Sequence, residues 1–172
     1  MKKLTIAGLA TILALAFATA ASAAAPMRLI SPAFRNGQTI PSRFTCTGKG
    51  ISPPLRFVNV PRDAVALAVT VIDTTAHGFT HWTLFDIPPW VKGLAAHRVP
   101  KEAVQGTNSF GKVGYGAMCP PPNGRAHNYV FTLYALRRPI PLRRGAAPAA
   151  VKRAIRSAAF ASATLRGRFG IA

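Results

Sequence analysis

From Leu29 to Leu136 short apolar runs are cut repeatedly by "NG", "GKG", "PP" and "PPPNG", the punctuation of strands joined by tight connections. No helical spacing stands out in that region. "VALAVTVID" (Val65 to Asp73) is apolar on both faces, which predicts a strand in the middle of a sheet covered on both sides. "HWTLFDI" (His81 to Ile87) and "HNYVFTLYAL" (His127 to Leu136) read the same way, and these three are the expected core strands. After Arg144 the period changes. In "APAAVKRAIRSAAFASATL" (Ala147 to Leu165), Val151, Ile155, Ala158, Ala161 and Leu165 fall on one stripe with Lys152, Arg153 and Arg156 off it, predicting a single amphipathic helix. Much of that stripe is Ala and weakly lipophilic, so the helix is expected to pack on the domain rather than lie in a membrane surface.

The beginning of the chain follows a different logic. Lys2 and Lys3 precede an apolar run from Leu4 to about Ala20, and Ala21-Ser22-Ala23 follows; these are the three regions of a secretory leader. Residues 1–25 are therefore expected to be removed, and residues 26–172 to form one exported domain, periplasmic or secreted. About 147 residues can bury roughly two-thirds of their unfolded surface, and neither an internal repeat nor a long linker divides them. Removing Lys2 and Lys3 lowers the formal charge of +18 by two, with only Asp63, Asp73, Asp86 and Glu102 on the acidic side. Such a surface is drawn nonspecifically, and with strong salt dependence, to anionic lipid, polyanion or nucleic acid. Two cysteines, Cys46 and Cys119, more often pair than stay free in an exported chain; the alternative is a reduced Cys119 serving as a nucleophile.

Strand placement turns four dispersed side chains into a candidate site. Asp73 ends one core run, His81 opens the next after a seven-residue loop, and His127 opens the third after a Pro/Gly loop. If the first two are antiparallel neighbours, Asp73 and His81 share a sheet edge. His127 and Tyr129 point to one face because side chains alternate with period two. Two imidazoles and a phenol can donate to a small anion, and the backbone of Gly114 to Gly116 can bring NH groups close. A carboxylate beside an imidazole fixes its tautomer, and Pro120 to Pro122 stiffen the wall.

The landmarks "SPAF" (Ser31 to Phe34), "IPSRFTCTGKGISPPL" (Ile40 to Leu55), "HW" (His81, Trp82), "DIPP" (Asp86 to Pro89), "GYGAMCPPPNGRAHNYVFTLYAL" (Gly114 to Leu136) and the tail "AAVKRAIRSAAFASATLRGRFG" resemble, in order and spacing, the phosphatidylethanolamine-binding proteins, specifically their bacterial Raf-kinase-inhibitor-like branch. The resemblance implies a mainly β fold, an antiparallel β-sandwich with a peripheral C-terminal helix. It also implies a pocket for phosphate-like headgroups, with Asp73, His81, His127 and Tyr129 as its polar groups and Gly116, Cys119, Pro120 and Pro121 as its wall. No metal or cofactor is implied. A protein partner, as for the family's inhibitor members, and a homodimer are further expectations.

The chain also departs from the family pattern. "DTTAH" (Asp73 to His77) stands where Asp-Pro-Asp-Ala-Pro is usual, Ala117-Met118 replaces a Gly-Pro pair, and Asn128 occupies the place of a frequent Arg. These differences predict a more mobile, less acidic rim with its own ligand preference. The leading expectation is a noncatalytic exported protein that binds a phosphate- or carboxylate-bearing ligand. The rivals are an enzyme, using Asp73, His81 and His127 at a metal or Cys119 with His127 as a hydrolytic pair, and a basic protein adsorbed to the envelope. Neither "GxSxG" nor "HExxH" occurs, which leaves the enzymatic reading without a motif.

Overall fold

The computed structural model describes residues 25–171; all but the last residue of the expected leader lies outside them. Among these residues eight strands and one α-helix follow in chain order: β1 (Arg28–Ile30), β2 (Leu55–Val58), β3 (Ala66–Asp73), β4 (Phe79–Ile87), β5 (Gly93–Leu94), β6 (Val104–Gln105), β7 (His127–Leu136), α1 (Pro148–Ala158) and β8 (Ala159–Phe169). They form a three-stranded sheet, β1-β2-β5, and a five-stranded sheet, β6-β4-β3-β7-β8. All the strand pairs are antiparallel. The expected β-sandwich with a peripheral helix is the fold observed.

Burial explains the layers. β3 lies between β4 and β7, and its run of apolar residues serves both faces. Leu67, Val69 and Val71 join Phe131, Leu133, Leu165 and the small-sheet residues Leu29, Leu55 and Phe57 in the inter-sheet core. Ala66 and Ala68, on the opposite face, pack with Phe85 and Leu136 beneath Val151, Ile155 and Ala158 of the helix. Pro148 opens the helix, where a missing NH costs nothing, and Arg156 in its last turn faces the negative end of the helix dipole.

The helix stops seven residues earlier than the apolar stripe predicts. Ala161 and Leu165 are four residues apart, a separation that fits helical spacing and also places both on one face of a strand. From Phe160 the period-two reading wins. Leu165 and Phe169 are buried while Ser162, Thr164, Arg166 and Arg168 are exposed, and the segment pairs with the whole of β7, from Leu136↔Ala159 to His127↔Phe169. Gly167 lies opposite Tyr129. A Cβ there would come within 2.4 Å of the Ile40 side chain, so glycine is what allows buried Ile40 to pack against the sheet.

Cys46 and Cys119 form a disulfide across a sequence separation of 73, as expected. The bond lies beside a backbone pairing in which the Cys46 amide donates to the Met118 carbonyl at 3.0 Å, so two long loops are held together twice. Closing a loop of this length restricts the unfolded chain by about 4 kcal/mol. The Cys46→Ser/Cys119→Ser protein is therefore expected to lose stability of about that size in urea unfolding. Superimposable unfolding curves for the oxidised and double-serine forms would show that the bond adds nothing.

Candidate functional site

At the end of β3 the alternation that buries Leu67, Val69 and Val71 also turns Asp73 inward, where it is only 3% exposed. A buried carboxylate must be fully hydrogen-bonded, and this one is. Its Oδ1 accepts from the Thr75 and Ala76 amides at 2.9 and 3.0 Å, closing an Asx-type turn. Its Oδ2 accepts from Nδ1 of His127 at 2.6 Å. Tyr129 sits directly across from Asp73 in the β3–β7 register, and His127, two residues earlier, shares its face. The spacing read from the sequence thus has its geometric counterpart.

His81 reaches the same place by a different device. The β3–β4 register slips between Val71↔Trp82 and Ile72↔Thr80, leaving His81 as the extra residue of a bulge. Bulges place consecutive side chains where simple alternation does not. Trp82 enters the inter-sheet core, yet its neighbour His81 also faces the Tyr129 ring, with centroids 5.3 Å apart. Nδ1 of His81 donates to the Gly116 carbonyl at 2.9 Å, and the Gly116 amide donates back to the His81 carbonyl at 2.7 Å. Burial pushes the His81 imidazole below its ordinary pKa, against the opposing pull of the Gly116 carbonyl, the Asp73 carboxylate and the Ala117 carbonyl.

Tyr129 is fully buried and lies between the imidazoles, 5.3 Å from the His81 ring and 6.4 Å from the His127 ring. Its hydroxyl makes no well-formed hydrogen bond among the described residues, the Asp73 carboxylate being close enough for only a marginal one. Burial, followed by the nearby Asp73 carboxylate, raises its pKa and keeps the phenol neutral. On the other side of His81, Phe79 and Phe110 pack against the ring at 5.1 and 5.6 Å, and Phe110 remains 47% exposed at the rim.

The expected wall divides between the interior and the surface. Gly116 and Pro120 are buried, whereas Cys119 and Pro121 are exposed. A Cβ on Gly116 would lie 2.6 Å from the Phe110 ring, so glycine lets this loop reach His81. Next to it a cavity of about 530 Å³ is lined by Phe110, Lys112, Tyr115, Ala117 and the disulfide, among others. Asn108 and Phe110 are contributors that the sequence reading did not single out. Asn108 is buried; its Nδ2 donates to the Gly114 carbonyl, and its Oδ1 accepts from the Phe110 and Lys112 amides. A lone Asn between Gly-rich turns in "GTNSFGKVGYG" was the available signal.

The departures from the family pattern bond to one another. The Asn128 amide donates to Thr75 Oγ1 at 3.0 Å, and the Asn128 carbonyl accepts from the Thr74 amide at 2.9 Å and the Thr74 hydroxyl at 3.1 Å. His77 and Gly78, at φ of 50° and 81°, complete the turn, with the Gly78 amide donating to the Asp73 carbonyl. The Thr74 and Thr75 side chains thus tie the turn after β3 to the backbone of β7.

Cys119 is bonded to Cys46, which removes the thiol that a Cys119–His127 pair requires. Among the described residues no group of three His, Cys, Asp or Glu is placed to hold a metal.

With two stacked antiparallel sheets, a peripheral helix and this cluster at one end of the larger sheet, comparison with known proteins gives one consistent result. The chain belongs to the phosphatidylethanolamine-binding protein family, whose model matches residues 30–170. A UPF0098 protein of Methanothermobacter thermautotrophicus is 40% identical over 150 residues, covering 83% of this chain and 98% of that protein. A Mycobacterium tuberculosis protein provisionally named lipoprotein LppC is 37% identical over 153 residues, covering 88% of this chain and 76% of its own length. The crystal structure of Escherichia coli YbcL, described as a member of the mammalian family of these proteins, superposes with a TM-score of 0.81 at 30% identity, covering 86% of this chain and all of that one.

The Thr75 hydroxyl carries the link to the Asn128 amide. Thr75→Val keeps the side-chain shape and removes that acceptor, a loss of about 1 kcal/mol. The Asn128 amide should then exchange with solvent several-fold faster in hydrogen-exchange NMR. Unchanged protection would show that the rim is held by something else.

Proposed function

We propose that this is an exported, noncatalytic binding protein whose His81, His127 and Tyr129 seat a small phosphate- or carboxylate-bearing ligand. The observation that carries the reading is the fully buried Tyr129 hydroxyl, left without a well-formed hydrogen bond between two imidazoles whose Nδ1 atoms are already engaged. A buried polar group costs on the order of 1–3 kcal/mol when unpaired, and an arriving acceptor oxygen removes that cost. Asp73 serves as the orienting group for His127, not as a ligand contact, since both of its oxygens already accept from the protein. Gly116, Cys119, Pro120 and Pro121 form the rigid wall, and rigidity lowers the ordering cost of binding.

The apolar leader-like run and the lipoprotein name of the mycobacterial relative support a periplasmic or secreted location. The strong positive charge supports an anionic neighbourhood, drawing the protein to such surfaces without selecting among them. Family membership is the ground for a regulatory role through a protein partner and for a homodimer.

The orphaned hydroxyl makes the site reading testable against stability. Tyr129→Phe removes a polar atom that makes no well-formed hydrogen bond, so the variant should unfold at the same temperature as the parent or higher, while its affinity for inorganic phosphate in calorimetry falls about tenfold or more. His81→Ala combined with Tyr129→Phe should keep the fold by circular dichroism and abolish binding. Undiminished phosphate affinity in the folded double variant would remove His81 and Tyr129 from the site.

A further inference from the structure

The hydrogen bonds of the two imidazoles fix more than their orientation. A carbonyl oxygen only accepts, so the Gly116 contact assigns the His81 proton to Nδ1. The Asp73 contact does the same for His127. In their neutral forms both rings therefore have Nε2 left over, carrying a lone pair and no proton. The Tyr129 hydroxyl is then the single donor among the three groups. Such a seat is mismatched to a fully ionised oxyanion, which has acceptors only, and the carboxylate of Asp73 adds a negative charge behind it. The surroundings of His81 supply no proton. Asp73 faces it from β3, His127 and Tyr129 from β7, and the Gly116 and Ala117 carbonyls from the loop; Phe79 and Phe110 close the remaining side. Lys112 lines the adjoining cavity with Gly116 and Phe110.

Resting on the seat described above, we propose that binding of a tetrahedral oxyanion is coupled to the uptake of one proton at Nε2 of His81, so that the site takes its ligand under mildly acidic conditions and releases it as the pH rises. The proton converts the second acceptor into a charged donor, giving the ligand Tyr129 Oη–H and His81 Nε2–H together. Burial favours neutral His81 in the empty protein, and a bound anion reverses that preference, since an opposite charge in contact stabilises the imidazolium. The sign follows from linkage: the bound form holds one more proton than the free form, so affinity declines as pH rises above the free-state value, about tenfold per unit. His81, not His127, is the coupling group because it is buried at 3% exposure and donates to a neutral carbonyl. His127 donates instead to the Asp73 carboxylate, a partner that is the same with and without ligand.

Sulfate separates the protein's proton from any the ligand might bring, since it stays fully ionised throughout the neutral range, whereas a phosphate monoester exchanges a proton near pH 6. Calorimetry of the mature protein with sulfate from pH 6 to 8.5, in two buffers of different ionisation enthalpy, should show affinity falling about tenfold per unit above pH 7 and close to one proton taken up at pH 7.5. In His81→Gln, whose amide donates at every pH, the slope should disappear. Histidine nitrogen NMR on the unmutated protein gives an independent reading, with the His81 signals moving from the Nδ1–H tautomer to the imidazolium as sulfate is added at pH 7.5. Binding with no proton uptake, or a slope that survives in His81→Gln, overturns the coupling and leaves the seat intact. Absence of sulfate and phosphate binding at every pH overturns the seat and the coupling together.

Discussion

A carboxylate with 3% of its surface exposed has to find all its hydrogen bonds inside the protein, and the way Asp73 does so organises one end of the molecule. One oxygen takes the two amides of the turn that follows β3; the other takes the His127 ring from the neighbouring strand. Moving Asp73 by one residue along β3 would turn it to the helix-covered face and break both sets at once. The register of the central strand pair, fixed along its length by the burial of Leu67, Val69, Val71, Phe131 and Leu133, is therefore what brings an acid, an imidazole and a phenol together. The apolar core and the polar cluster are the same alternation continued to the end of the strand.

The sequence was most legible where a single periodicity had no competitor. Val65 to Asp73 and His127 to Leu136 are strands in the structure almost to the residue. Turn residues and apolar runs agree there, and a strand buried on both faces leaves little freedom. Legibility failed where two periods share a spacing. Ala161 and Leu165 suit a helix and a strand equally, and only the long-range pairing with β7 decides between them. His81 was assigned to the right strand, but its face depends on a bulge that no local residue announces. A strict alternation from Trp82 would have sent it to the opposite side of the sheet. Asn108 and Phe110 lay outside any pattern, because their role is to brace a loop against a histidine distant in sequence.

Departures from a family pattern are informative when read as a set. Taken singly, Thr75 and Asn128 each remove a feature that the family usually has near this site. In the structure the side chain of one accepts from the backbone of the other, and Thr74 bonds to the same residue. The two threonine side chains thereby tie the turn after β3 to the backbone of β7.

The far edge of the five-stranded sheet also has a consequence. Along the C-terminal half of β8, the Gly37 amide donates to Arg166, the Ile40 amide to Arg168 and the Arg168 amide to Gln38, while the Arg166 amide donates to the Asn36 side chain. That half of the rim is spoken for by the chain's own preceding segment, seated close because residue 167 has no side chain. Another polypeptide cannot lengthen the sheet there by adding a strand. Encounters at this end are left to side chains and solutes, and copies of the molecule are kept from zipping together beside the cluster.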